Sequence, residues 1–169
     1  GALATATAGA DAAALERAHM FLDSIVDNIP DTIFVKDAEQ LRFERVNRAC
    51  EQLLGRTRAE LLGKTDYDFF SREQAAFFQS KDRETLAAGR VVDIPEEPID
   101  TPTGIRWLHT KKIPLLDEHG VPRYLLGISA DITERKRVED ELKQIHGQLE
   151  ARVEERSSAL RRAEDHLRQ

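Results

Sequence analysis

Cysteine is nearly missing from this sequence. Cys50 stands alone among 169 residues, which excludes an intramolecular disulfide framework and any cysteine-rich zinc site. No apolar run approaches the roughly 18 residues that a membrane helix requires, and no signal-peptide core is visible. Excess positive charge is also absent. Lys and Arg number 25 against 31 Asp and Glu, a net charge of -6 with a pI near 5.4, so the basic footprint of a nucleic-acid binder is lacking. There is no Gly-rich phosphate loop, no His-Glu-x-x-His and no Ser in a nucleophile elbow. These absences leave an intracellular, soluble, acidic protein without a catalytic constellation of its own.

What is present suits one ordinary domain with an appendage. Hydrophobic residues make up 40% and charged residues 33%, with a mean hydropathy of -0.51, polar for a globular chain yet too apolar for disorder throughout. Thr133 to Gln169 carries 9 basic and 9 acidic residues, no Pro and one Gly. It reads as one long charge-balanced helix, and the acidic excess belongs to the first 132 residues. The chain opens at Gly1 rather than Met, as expected of a piece of a longer protein.

Residues 1–14 hold eight Ala among Thr, Gly and Asp and are expected to be frayed or disordered. Leu15, Ala18, Leu22, Ile25 and Ile29 then follow at spacings of 3, 4, 3 and 4, one apolar helical stripe over 15–29 that Pro30 ends. Thr32–Lys36 and Arg42–Val46 read as strands joined through Asp37–Gln40. Asn47 caps a short helix over Arg48–Leu54 that Gly55 stops. Thr57…Glu60 opens a second helix as a capping box, and Ser71…Gln74 opens a longer one as another. Val91–Asp100, Ile105–Leu116 and Val121–Ile132 complete a set of three strands with turn residues between them. Two strands, a block of small helices and three strands predict an α+β domain over 30–132 with an antiparallel sheet.

That order, with Asn47…Leu54-Gly55, Thr57…Glu60-Leu61-Leu62-Gly63-Lys64, Thr65-Asp66-Tyr67-Asp68-Phe69-Phe70, Gly104…Arg106-Trp107, Pro114-Leu115…Asp117…Gly120, Gly127 and Asp131-Ile132-Thr133, resembles a PAS domain of bacterial signalling proteins over about residues 20–135. The resemblance implies a five-stranded antiparallel sheet, helices on one face enclosing a pocket, and a role in sensing or relay within a dimer.

At the end of the domain, Thr133 is expected to cap the exit helix with Glu134 at its positive end. Asp131 could pair with Arg135, so that Asp131, Ile132, Thr133 and Arg135 form a relay joint. An ordinary helix cap is the plainer alternative. Val138, Leu142, Ile145 and Leu149 make a heptad seam, and Val153, Leu160 and Leu167 continue it in a shifted register across a stutter near Gly147. At 37 residues this helix would extend roughly 55 Å. Its polar surface needs a partner, which predicts a parallel homodimer with help from the helix over 15–29. Leu149–Arg156 also resembles the linker into the dimerisation domain of sensor histidine kinases, although no phosphoacceptor motif surrounds His146 or His166.

The resemblance further implies which side chains face the pocket: Ile33, Val35, Phe43, Tyr67, Phe70, Phe78, Leu108, Thr110, Lys112, Leu125 and Ser129. Trp107, His109, Ile113, Tyr124, Leu126 and Ile128 would face outward. Lys112 or Thr110 could meet an anionic ligand; equally, these residues could simply fill a core. Haem is disfavoured because Ser71–Gly89 contains no His. A covalent-adduct flavin is disfavoured because Lys64-Thr65-Asp66-Tyr67 stands where photosensors of the family carry a reactive Cys. Polar flavin contacts would also fall near Ile99, Leu108 and Ser129, two of which are apolar. Asp66, Asp68, Glu96 and Glu97 read as turn or surface carboxylates, and Cys50 as a small buried thiol.

The expectation is thus a non-catalytic sensory or relay segment of a larger protein, a histidine kinase first and a diguanylate cyclase second. It would work as a homodimer with a possible small-molecule ligand and a downstream output domain. A ligand-free dimerisation spacer is the structural rival.

Overall fold

The computed structural model describes residues 2–168; Gly1 and Gln169, the outermost residues of the expected tail and coil, lie outside them. Helix α1 spans Ala2–Asp27. It does not begin at Leu15 as the apolar stripe suggested. The Ala-rich stretch ahead of the stripe continues the helix, in keeping with alanine's place at the top of the helix propensity order.

Strands β1 (Thr32–Asp37) and β2 (Phe43–Val46) form a hairpin. Helices α2 (Arg48–Leu54) and α3 (Arg58–Leu61), a single 3-10 turn (Asp66–Asp68) and α4 (Arg72–Ala88) follow. Strands β3 (Val92–Thr101), β4 (Gly104–Leu116) and β5 (Pro122–Asp131) then lead into α5 (Thr133–Leu167). The sheet runs β2-β1-β5-β4-β3, antiparallel throughout. The expected order and fold class are present, with the first and last strands meeting centrally because β1 pairs with β5.

Local chemistry explains the punctuation. Asp37 accepts from the backbone N–H groups of Glu39, Gln40 and Arg42, an Asx-type turn that holds the hairpin connection. Thr57 and Glu60 form the anticipated capping box. Ser71 accepts from Gln74 N–H at 3.3 Å, but the Gln74 side chain accepts instead from Asp100 N–H, so that box is only half made. Thr65 and Asp68 make a further one around the 3-10 turn.

Asn47 is fully buried. Its Oδ1 accepts from Ile33 and Cys50 N–H, while Nδ2 donates to the carbonyls of Val26, Ile29 and Asp31. One amide therefore fastens the end of α1, the start of β1 and the start of α2. The core beneath gathers Phe43, Val46, Cys50, Leu54, Leu61, Phe78, Ile99 and Leu108. Each large apolar side chain so buried contributes about 1.5–3 kcal/mol.

The chain divides into two units, one ending at Asp131 and one beginning at Ile132. In the second, Ile132 rather than Thr133 occupies the N-cap, because helical backbone angles already begin at Thr133. Glu134 stands in the first turn and pairs with Arg137 at 2.7 Å, and Arg135 pairs with Glu139 at 3.1 Å. Val138, Leu142, Ile145, Leu149, Val153, Leu160 and Leu167 are all exposed. No helix among the described residues is long and apolar enough to cross a membrane.

Candidate functional site

A cavity of about 50 Å³ lies between the sheet and its helices. Its position follows from strand parity. Directly paired residues share a face, so Phe34 opposite Gly127 and Lys36 opposite Leu125 point inward, with Ser129 and Thr110 paired beyond them. Phe43, Phe70, Phe78, Leu108, Lys112 and Ser129 stand at the cavity wall, together with Phe34, Lys36, Asp66, Glu97 and Ile99.

Ile33 and Val35 do not reach it. They pair with Ile128 and Leu126 and share the outer face with them. Placing them in the pocket therefore conflicts with the outward position expected for Leu126 and Ile128. Tyr67 is half exposed on the 3-10 turn. Thr110 and Leu125 are buried on the inner face without lining the cavity. Thr110 shares a hydrogen bond with Ser129 at 2.9 Å.

The largest departure is a buried ionic cluster. Lys36 Nζ lies 2.8 and 2.7 Å from the two oxygens of Asp66 and 2.7 Å from Asp82. Lys112 Nζ pairs with the other oxygen of Asp82 and donates to the Phe78 carbonyl. Lys36, Lys112, Asp66 and Asp82 have almost no exposed surface. Asp66 is accordingly no surface carboxylate, and Lys112, one of two residues that could have met an anionic ligand, meets the Asp82 carboxylate instead.

At Lys36 and Asp82 burial works against the charge, yet the partners prevail. Burial lowers the Lys36 pKa, but Asp82 and Asp66 raise it more, leaving it above its ordinary value. Burial raises that of Asp82, but Lys36 and Lys112 hold it below the usual carboxylate range. Lys36 also sits 4.9 Å from the Phe43 ring centroid and 5.3 Å from that of Phe34, a cation–π arrangement. Such buried clusters hold geometry as much as they stabilise. Here two strands, the 3-10 turn and α4 are tied at one point.

Sequence spacing could not reveal this cluster, since its members lie 30 and 46 residues apart. The inward position expected for Lys112 on β4 is the signal that was available.

Cys50 also lines the cavity. Burial first, and the Glu51 carboxylate second, push its thiol up to about 12, so it remains protonated and unreactive. Glu97 is buried, contrary to its reading as a surface carboxylate, and its Oε1 meets no hydrogen-bond donor. Among the described residues, no group of three or more His, Cys, Asp or Glu gathers as metal ligands.

A shallow groove lined by Pro30, Arg106 and Asp131 shares Thr32, Leu53 and Ser129 with the cavity. Asp131 lies 3.6 Å from Arg106 within this groove. The pairing of Asp131 with Arg135 would span the two units, and within its own unit each has a different partner.

Comparisons with known proteins agree with this architecture. The chain is 34% identical over 128 residues to the aerobic respiration control sensor protein ArcB of Escherichia coli, covering 75% of this chain and 16% of that protein. It is 35% identical over 120 residues to the methanogenesis regulatory histidine kinase FilI of Methanothrix harundinacea, covering 70% and 13%. It thus spans about a sixth or less of the length of these relatives. Among solved structures, the PAS domain of Bordetella pertussis BvgS superposes with a TM-score of 0.60 at 22% identity, covering 78% of this chain and 98% of that one. VqmA bound to DPO superposes at 0.58 with 26% identity, covering 74% and 60%. The PAS fold family matches residues 26–137, and the chain belongs to that family.

Proposed function

We propose that this chain is the sensory segment of a larger signalling protein, a sensor histidine kinase by its relatives, in which occupancy of the cavity is passed through β5 to a dimeric coiled coil formed by α5. The observation that carries this reading is the course of β5. Ser129 lines the cavity, Asp131 lines the adjoining groove two residues later, and α5 begins at Thr133. A change at the cavity therefore acts on the strand that continues into the helix. A ligand transmits by this route only if it binds the two states of the joint with different affinity.

The segment performs no catalysis in this reading, and the output domain lies beyond it, on the cytoplasmic side. The small volume of the cavity supports a ligand far smaller than a porphyrin or an isoalloxazine, in keeping with haem and adduct-forming flavin being disfavoured. That VqmA, a solved neighbour of this fold, is bound to DPO supports ligand binding by this chain. The exposed apolar seam of α5 and the exposed Leu15, Met20, Phe21, Leu22 and Ile25 of α1 support a homodimer.

Light scattering at micromolar concentration tests the dimer: a mass twice 19.1 kDa is expected, and Leu149→Arg should halve it. Native mass spectrometry of the same sample tests the sensor. A retained small-molecule mass supports it, while a dimer that carries nothing and responds to nothing is the ligand-free spacer.

A further inference from the structure

Glu97 reaches the interior through a bulge. The inward positions Thr110 and Leu108 on β4 are two residues apart, but their partners on β3, Ile94 and Glu97, are three apart. The additional residue is absorbed at Pro95–Glu96 and reverses the parity of everything after it. In a regular ladder Glu96 would stand opposite Leu108, and Glu97 would face outward beside Trp107. Instead Glu97 is 5% exposed at the cavity wall. Its Oε1 is the one buried side-chain nitrogen or oxygen among the described residues that lacks a hydrogen-bond partner.

The polar groups around it are already committed. Lys36 is held by Asp66 and Asp82, Lys112 by Asp82 and the Phe78 carbonyl, and Ser129 by Thr110. Lys36 Nζ makes three hydrogen bonds and Lys112 Nζ two, all within the cluster or to the Phe78 carbonyl, and none goes to Glu97 Oε1. The two Lys and two Asp balance, which leaves no free cation for an anion. A buried acceptor without a donor is destabilising, and a strand bulge that carries it inward is a built feature. What the cavity lacks is a donor from outside the chain.

We propose that the cavity takes a ligand of a few non-hydrogen atoms that presents an N–H or O–H group to Glu97 Oε1 and an apolar face to Ile99, Leu108 and Phe78, and that it refuses carboxylate-like anions. This rests on reading the cavity as a ligand site. Glu97 is then the residue that selects ligand chemistry, and the Lys–Asp cluster is the wall that keeps the site's shape.

Acetamidinium, acetamide and acetate share size and shape but differ in donor capacity and charge, and they serve as probes. Each is titrated into the 169-residue chain while the backbone amide resonances of Glu97 and Leu108 are followed. Acetamidinium should give saturable shifts, acetamide weaker ones and acetate none. Glu97→Gln, of equal size, should weaken acetamidinium at least tenfold. Ile99→Phe, which fills the cavity and leaves Glu97 in place, should abolish its binding.

Acetate binding as tightly as acetamidinium would overturn the proposal. So would acetamidinium binding unchanged by Glu97→Gln, or no shift from any probe, the result expected if an ordered water satisfies Glu97. A small molecule retained equally by the wild-type chain and by Glu97→Gln in native mass spectra would sink the role of Glu97 and keep the sensory reading. Absence of both probe binding and a retained molecule would sink both.

Discussion

Phe34 and Gly127 stand directly opposite each other on β1 and β5, and the Phe34 ring occupies the space where a side chain at position 127 would begin. The ring lies edge-on to Phe43 at 5.9 Å and forms part of the cavity wall. Glycine is needed at 127 for close approach, not for backbone freedom.

Gly127→Ala should therefore push Phe34 off its position. Overpacking of this kind costs about 1–3 kcal/mol, read as a fall in Tm of several degrees. Phe34→Leu in the Gly127→Ala background should recover part of it, because contacting residues are non-additive. Equal and additive losses in the double mutant would show that the two do not share the space.

Asp82 bridges both buried lysines, so Asp82→Asn leaves two cations facing one carboxylate. Breaking a buried pair in this way costs about 3–5 kcal/mol, measurable by urea denaturation. The pH profile follows from the shifted groups. The folded pKa of Asp82 is lowered, so its contribution is complete above the ordinary Asp value of about 3.9 and disappears as pH falls through the folded value. That of Lys36 is raised, so its contribution is complete below the ordinary Lys value of about 10.4 and is lost as pH rises through the folded value. Stability from the cluster should be level between those limits. A maximum confined to neutral pH in wild type, unchanged by Asp82→Asn, would contradict this.

Asn47→Asp keeps the oxygen that caps α2 but turns an amide donor into an acceptor facing three carbonyls. The end of α1 should loosen before the sheet does. Hydrogen exchange is expected to rise first at Asn28 and Ile29, whose N–H groups bond to Ile25 and Val26, with a global loss of about 1–3 kcal/mol. Uniform acceleration across the sheet would instead mean that Asn47 supports the whole fold equally.

Asp131→Ala removes the carboxylate beside Arg106 at an exposed position, so the change in stability should stay within about 0.5 kcal/mol. In the longer signalling protein proposed above, regulation of the output should nonetheless weaken, since Asp131 is the last residue of β5. Unchanged regulation would remove it from the relay.

The elements were legible because their signals are local. The Asx turn at Asp37, the cap at Asn47, the Thr57 box and the alternation of Leu125, Gly127 and Ser129 each depend on residues a few positions apart. From those, the order and the fold class followed. The inward faces of β4 and β5 came from the resemblance to the PAS family, and alternation then carried them from one residue to the next along each strand.

Other features depended on partners far away in the chain. Ile33 and Val35 could not be told from Phe34 and Lys36 by pattern, because β1 is apolar on both faces and only its register with β5 decides between them. Asp66 and Asp82 look like any helix-end or helix-surface carboxylate until Lys36 and Lys112 arrive beside them. Glu97 stood on the wrong side of its strand in any regular reading, because one bulge reverses parity without leaving a mark beyond a proline. Local sequence therefore determined the elements and their order. Tertiary structure alone decided which charges are buried and which way a bulged strand points, since both depend on register and pairing between residues that the chain keeps apart.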